Sequence, residues 1–375
     1  MVCRNKAEEK MQGRCKTNLK DCTLDELEEI LAGLGEPGYR ARQVADWVFK
    51  KGAGSFAEMT NLPASLKERL DQVASSGGVA ILKKQVSSRG DTVKYLFGLQ
   101  DGQAVESVLM KHSYGLSVCI STQAGCRMGC VLCASTLGGK ARDLSPGEMY
   151  DQVLAVQKDS GQRVSHIVLM GSGEPLDNYD NTIKFLVNIN SEYGLNIGFR
   201  HITLSTCGIV PGIRRLADKG FPVTLAVSLH AADNGLRNRL VPVNSKYPLE
   251  DLMEACRYYI GRTGRRITFE YALIAGVNDS PAQAGKLARL ISGMPSHVNL
   301  IPYNPVGERR FKRPSREDVS NFRSVLERAG VDATVRRELG GDIDAACGQL
   351  RRRLAGDVRR KVCENNDKSG NNRTR

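Results

Sequence analysis

Residues 116–133 read LSVCISTQAGCRMGCVLC, and the fold is decided there. The first seven residues alternate like a buried β-strand. A doubly wound nucleotide-binding sheet would follow such a strand with a GxGxxG turn. Here the strand is followed by Cys126, Cys130 and Cys133 in CxxxCxxC spacing, with Gly125 and Gly129 letting the backbone turn tightly. Toward the C terminus, strand-like runs recur at HIVLMG (166–171), HITLSTC (201–207), FPVTLAVSLH (221–230), RITFEYALI (266–274), HVNLIPYN (297–304) and DATVRREL (332–339). Helical patterns lie at 179–190, 249–262, 280–292 and 315–329, and Ser145, Pro146 and Glu148 carry the capping signature of a further helix. Alternating strands and helices predict βα units around a parallel sheet. A partial (β/α) TIM-like barrel fits this pattern, with its site at the C-terminal ends of the strands.

Working toward the N terminus, residues 79–112 alternate apolar and polar side chains between turns at Arg89-Gly90-Asp91 and Asp101-Gly102, which predicts a β-hairpin or short meander as a linker. Residues 19–78 read as a small helical domain. Thr23 and Glu26 form a capping box for a helix over 24–35, a second helix fits 39–52, and a third lies around Leu66–Val73. Arg40 and Arg42 on the second helix either touch nucleic acid or form a solvated face. Residues 1–18 are a polar leader and 351–375 a basic tail, both expected to be disordered, with 113–350 as the core between them.

The chain has 375 residues and a net charge of +13, from 54 Lys and Arg against 41 Asp and Glu. Nine basic and three acidic residues in the tail account for +6 of it. The surplus points to a polyanionic partner. Neither a signal peptide nor a run of about 18 apolar residues is present, so a cytoplasmic protein without membrane insertion is expected. Eleven cysteines in a reducing compartment argue for metal or redox chemistry over a disulfide framework.

Three thiolates in eight residues lack the fourth ligand that a structural zinc normally has. They suit a [4Fe–4S] cluster with one iron left open for a substrate; the blander alternative is three small residues in a core loop. Gly171-Ser172-Gly173-Glu174-Pro175 follows the next strand, and Ser205, Ser228-Leu229-His230 and Asn304 end later strands, where barrel ligands bind.

CxxxCxxC at the head of a βα barrel resembles the radical S-adenosylmethionine (SAM) superfamily, and the GSGEP segment resembles its GGEP-type motif. Further stretches are similar to the RlmN/Cfr family of RNA adenine methyltransferases: CISTQAGCRMGCVLCASTLGG (119–139), AVESV (104–108), LSTCGIVPGI (204–213), LIPYNPV (300–306) and GGDIDAACGQL (340–350). The resemblance runs over residues 20–355. It implies a radical SAM barrel, a [4Fe–4S] cluster on Cys126, Cys130 and Cys133, and SAM contacts from Gly173, Glu174, Ser205, Ser228, Leu229, His230 and Asn304. It further implies that Cys347 accepts a methyl group from a first SAM, that a second SAM is cleaved at the cluster, that Glu106 takes the ring proton and that Cys119 releases the product through a transient disulfide with Cys347. Two SAM molecules are then used per turnover.

The implied substrates are adenosine 2503 of 23S rRNA, methylated at carbon 2, and adenosine 37 of some tRNAs. Flavodoxin or ferredoxin would be the electron donor and the monomer the working unit. The run after Cys133, Ala-Ser-Thr-Leu-Gly-Gly, looks like the RlmN branch. Alternatives are Cfr-type methylation at carbon 8, a zinc-stabilised RNA-binding protein, and an activase that installs a glycyl radical. Arg309, Arg310, Lys312, Arg313 and Arg316 form a basic loop near the expected mouth, to hold phosphates or merely to be solvated. Cys207 stands where a Ser or Thr is expected, and Cys3, Cys15, Cys22, Cys256 and Cys363 carry no assigned chemistry.

Overall fold

The computed structural model describes residues 16–337, 339, 342 and 343. The expectations for the leader up to residue 15, for Cys347 and for the basic tail lie outside the described residues. The chain divides into two compact units: one comprises the residues up to 79 with 145–155 and 180–197, the other 80–144, 156–179 and everything from 198 onward.

In the first unit, β1 (Thr17–Asn18) pairs in parallel with β2 (Ala74–Ser75). The helices are α1 (Leu24–Gly33), α2 (Tyr39–Ala45) and α3 (Ala64–Val73). The capping box is formed: the Glu26 amide donates to Thr23 Oγ1 at 3.3 Å and the Thr23 amide to Glu26 Oε2 at 2.7 Å. The second helix is not continuous to residue 52. It passes into a π-helical turn over Asp46–Lys50, which buries Val48 and Phe49 together. Lys20 and Asp151 form a fully buried ion pair at 2.5 Å, and Asp151 also accepts the Gly78 amide at 2.7 Å. A carboxylate and an ammonium without water persist only when paired in this way.

The second unit is built on one ten-stranded sheet, ordered β14-β13-β12-β11-β10-β9-β6-β5-β4-β3. Strands β3 (Ala80–Val86), β4 (Thr92–Gly98), β5 (Ala104–His112) and β6 (Gly115–Cys119) form an antiparallel meander. The stretch read as a linker is therefore part of the main sheet. Its middle strand is buried at all seven positions, Thr92 to Gly98, so the half-exposed alternation expected from its sequence does not hold. From β6 onward the sheet is parallel through β9 (Val164–Leu169), β10 (Ile202–Thr206), β11 (Thr224–Ser228), β12 (Ile267–Leu273), β13 (Ser296–Pro302) and β14 (Ala333–Val335). The small strands β7 (Gln123–Gly125) and β8 (Lys140–Asp143) pair with each other and frame the cysteine loop.

All seven strands expected from residue 116 onward are present. Helices α4 (Pro146–Ser160), α5 (Tyr179–Asn190), α8 (Leu249–Thr263), α9 (Pro281–Leu290) and α10 (Arg316–Arg328) match the periodic segments, and α6 (Val210–Asp218) and α7 (Asn234–Leu240) are additional. Among the described residues the sheet is open. β14 and β3 are its edges and no pairing joins them, so the barrel is not closed. Successive parallel strands end on the same side, which gathers the loops after β6, β9, β10, β11, β12 and β13.

Candidate active site

The cysteine loop lies between β7 and β8. Gly125 and Gly129 have φ values of 87° and 74°, a left-handed backbone that other residues rarely adopt. The Val131 amide donates to the Leu240 carbonyl at 3.0 Å, which ties the loop to the end of α7. Met128, Val131, Leu132 and Leu137 cover an apolar cluster built from Leu236, Leu240, Val241, Ile274, Tyr303 and Val306. This cover holds the cysteines in surroundings with little water.

Burial pushes the Cys126 thiol up to about 12, with the neighbouring Cys133 and Cys130 adding to the effect, and it also raises Cys133. Cys130 is lowered, because the Cys207 thiol donates to it. Thiols that raise one another's pKa face a common space, and a bound metal replaces their protons. Three cysteines in one loop, with no fourth ligand in their spacing, are a donor set that fits a [4Fe–4S] cluster with one iron open. Arg309 stands beside the set. It donates to the Cys133 carbonyl at 3.4 Å and to Thr136 Oγ1 at 3.2 Å, and its buried Nε has no partner among the described residues.

The GSGEP loop is locked against the segment that follows β6, residues 120–123. A Cβ at Gly171 would stand 2.6 Å from the Ile120 carbonyl oxygen, and one at Gly173 2.6 Å from Gln123 Cβ. The Gly171 amide donates to Ile120 O at 3.0 Å, the Thr122 amide to Ser172 O at 2.9 Å, and the Glu174 amide to Gln123 Oε1 at 2.9 Å. The Glu174 carboxylate accepts from the Leu176 amide at 3.0 Å and the Cys207 amide at 2.7 Å, and its burial raises its pKa. Glu174 thus couples the loop after β9 to the end of β10.

The next strand ends are held by Arg237, which the sequence reading missed. This arginine is fully buried on α7. It donates to the carbonyls of Cys207 at 2.6 Å, Ser228 at 3.2 Å and Leu229 at 3.1 Å, and to Asn244 Oδ1 at 2.8 Å. Ser205 and Ser228 approach to 3.5 Å between hydroxyls. His230 has φ 58°, unusual for a non-glycine residue. Its Nδ1 accepts the Ala272 amide at 3.0 Å, and Asn278 donates to its carbonyl at 2.8 Å. Burial, with a smaller effect of Arg237, depresses its pKa to about 3, so the ring is neutral. Asn304 is placed differently: it is exposed, and its Oδ1 accepts from Arg313 at 3.2 Å. Of the basic loop, Arg309 and Arg313 are thus engaged locally, while Arg310, Lys312 and Arg316 are exposed.

Glu106 and Cys119 lie on neighbouring strands and line one small recess, with Lys94, Ser107, Val108, Gly171 and Ser172. Lys94 is the second residue missed by sequence; its Nζ is 3.4 Å from Glu106 Oε1 and the pair is buried. The recess joins two of the three residues implied in methyl relay to the GSGEP loop.

Residues 120–287 match the family model of the radical SAM superfamily, and residues 17–75 match that of the ribosomal RNA large subunit methyltransferase N-terminal domain. The chain is 64% identical to a probable dual-specificity RNA methyltransferase RlmN of Pelotomaculum thermopropionicum, over 91% of this chain and 93% of that protein. It belongs to the RlmN family of radical SAM RNA methyltransferases. A second probable RlmN, from Desulforamulus reducens, is 59% identical over 90% of this chain and 97% of its own length. The crystal structure of a radical SAM methyltransferase from Sphaerobacter thermophilus superposes with a TM-score of 0.85 at 46% identity, covering 89% of this chain and 98% of that one. Membership in the RlmN family implies a [4Fe–4S] cluster and SAM, which the cysteine loop fits, and it removes the zinc-stabilised binding protein and the glycyl-radical activase as readings. No helix among the described residues is long and apolar enough to cross a membrane.

Proposed function

We propose that this RlmN-family enzyme methylates carbon 2 of adenosine 2503 in 23S rRNA and of adenosine 37 in some tRNAs, in the cytoplasm. The observation that carries the reading is the recess that Glu106 and Cys119 both line beside the GSGEP loop. The dual-specificity naming of the RlmN relatives supports both RNA classes. Residues 19–78 serve as an accessory domain to the 113–350 core in RNA recognition, and the monomer works with reduced flavodoxin or ferredoxin.

Cys126, Cys130 and Cys133 hold the cluster; Gly173, Glu174, Ser205, Ser228, Leu229, His230 and Asn304 surround SAM. When bound, the cluster would supply and recover the single electron on which this radical chemistry depends. An adenine amidine carbon is electrophilic, so direct methyl transfer fails and the carbon must first sit on sulfur. Cys347 would take the methyl group from a first SAM and, with a second SAM bound at the cluster, would give up a hydrogen atom from that S-methyl group. After the sulfur-bound carbon has added to the ring, Glu106 accepts the ring proton as general base. The Cys119 thiolate then attacks the Cys347 sulfur: an S–S bond forms, the S–C bond breaks, and the released carbon takes a proton to become the methyl group.

The test uses anaerobically reconstituted enzyme, SAM, a reductant and a 23S rRNA fragment, with mass spectrometry of the nucleosides. Methyl at carbon 2 of the target adenosine is expected, with loss of methylated RNA in Cys347→Ala and Cys119→Ala. Methyl at carbon 8, or full methylation by Cys347→Ala, refutes the assignment.

A further inference from the structure

The recess beside the GSGEP loop holds a cation. Lys94 has a side chain with no solvent exposure, and its Nζ lies 3.4 Å from Glu106 Oε1, whose side chain is 6% exposed. The register explains the meeting. Lys94 on β4 stands opposite Val108 on β5, and Val108 stands opposite Cys119 on β6. Lys94, Val108 and Cys119 therefore form one row across three strands. Glu106, two residues from Val108, points to the same face and reaches Lys94 diagonally. Lys94, Glu106 and Cys119 are the titratable groups lining the recess, Gly171 and Ser172 bringing none.

A lysine withdrawn from water is rare unless its charge is matched. Placing such a pair under a cofactor loop, rather than filling the space with apolar side chains, sacrifices packing. The Glu106 backbone is fixed independently, since Ser121 Oγ donates to its carbonyl at 2.7 Å. Lys94 therefore acts on the carboxylate, not on the course of the strand.

We propose that Lys94 is a positioning residue for the proton-transfer step, its ammonium holding the Glu106 carboxylate charged and oriented in the recess shared with Cys119. The inference rests on the reading of Glu106 as the base. In the step it serves, the ring C–H bond breaks, its electron pair stays with the ring, and the proton forms an O–H bond on Glu106.

The experiment compares wild type, Lys94→Met, Lys94→Arg and Glu106→Gln as cluster-loaded full-length enzymes, following methylated RNA as a function of pH. Lys94→Met is expected to lower kcat by about 100-fold, within the range of general-base effects, with KM for RNA preserved. It should move the acidic limb of the rate profile to higher pH, because a carboxylate without its counter-charge is harder to ionise. Lys94→Arg should restore the limb and much of the rate. Wild-type rate and profile in Lys94→Met, or a rate loss with an unmoved limb, overturns the proposal. Should Lys94→Met fail to fold, Lys94→Gln carries the same readout, and an unmoved limb there overturns it equally. Glu106→Gln separates the two layers: if it methylates RNA at the wild-type rate, the base reading itself fails. If it is inactive while Lys94→Met behaves as wild type, only the role of Lys94 fails.

Discussion

Arg237→Met tests whether the strand ends around the site are held by one buried guanidinium. Methionine occupies much of the volume of the arginine stem but donates nothing. It removes the arginine donor from the carbonyls of Cys207 and Ser228 and from the side-chain oxygen of Asn244, while the Leu229 carbonyl keeps the Ala231 amide at 2.8 Å. Each buried acceptor left unsatisfied costs about 1–3 kcal/mol, and about 1.5 kcal/mol apiece is a moderate figure, so three cost about 4.5 kcal/mol. Against this stands the relief of removing a charge from the interior. Burial depresses Arg237 from the ordinary guanidinium range to about 10, and at about 1.4 kcal/mol per pKa unit that relief is about 3 kcal/mol. The net loss is about 1–2 kcal/mol. It should appear as a fall of several degrees in the melting temperature of the anaerobically purified protein. Iron content should fall too, since α7 also carries the Leu240 carbonyl that anchors Val131 of the cysteine loop. The assay is calorimetry paired with iron and sulfide analysis. A variant that melts at or above wild type with full iron would refute the reasoning, because Arg237 would then be an ordinary buried ion replaceable by apolar bulk.

Gly173→Ala forces a Cβ to 2.6 Å from Gln123 Cβ at φ +108°; a cost of about 1–3 kcal/mol and weaker SAM binding are expected, and an unchanged melt with unchanged equilibrium dialysis would count against a locked loop. His230 is depressed from 6.5 to about 3 by burial and Arg237. The unfolded chain therefore binds a proton below about pH 6.5 that the folded chain refuses. Its contribution is fully present above that value and is lost as pH falls toward about 3, so the urea midpoint should drop between about pH 7 and 5, and less so in His230→Asn. Exposed Arg310 changed to Glu should weaken RNA binding and reduce the slope of log affinity against log salt by about one unit; unchanged affinity and slope would show a loop that is only solvated.

What the sequence made legible is what is local. The capping boxes at Thr23 and Ser145 depend on residues three apart, and both form. The cysteine triplet sits in one loop, so its spacing states its chemistry. The parallel strands show themselves through continuous apolar runs, as expected for strands covered on both faces. Helix α7 was missed because Asp233-Asn234-Gly235 reads as a turn; in the fold Asp233 instead caps the helix by accepting the Leu236 amide at 2.8 Å. Arg237 and Lys94 were missed for a different reason. A charged residue in an apolar stretch reads as a solvated face, and only tertiary pairing reveals that its partners are carbonyls from three strand ends or a carboxylate across the sheet. Cys207, passed over as a neutral departure, faces Cys130 and shifts it, a meeting of residues far apart in the chain.

The GSGEP loop connects these features. Its glycines are required by the approach of its backbone to Ile120 and Gln123, and the hydrogen bonds made there run two ways. Toward the relay recess, the Ser172 amide donates to Ser121 Oγ at 2.9 Å, and that hydroxyl donates to the Glu106 carbonyl at 2.7 Å. Toward the cluster, Gln123 receives the Glu174 amide at 2.9 Å and donates its own amide to Asp143 at 2.7 Å and Asp177 at 2.8 Å; Asp177 in turn accepts from Arg127, which follows Cys126 directly. One loop of five residues thus sets the position of Glu106 on β5 relative to Cys126, the first cysteine of its loop. The proposed relay, from the cysteine loop to Glu106 and Cys119, needs those two places held in fixed relation. Small residues at 171 and 173 serve that need before any contact with SAM is considered, because any larger side chain there would part the loop from Ile120 and Gln123, the segment that follows β6 and leads into the cysteine loop.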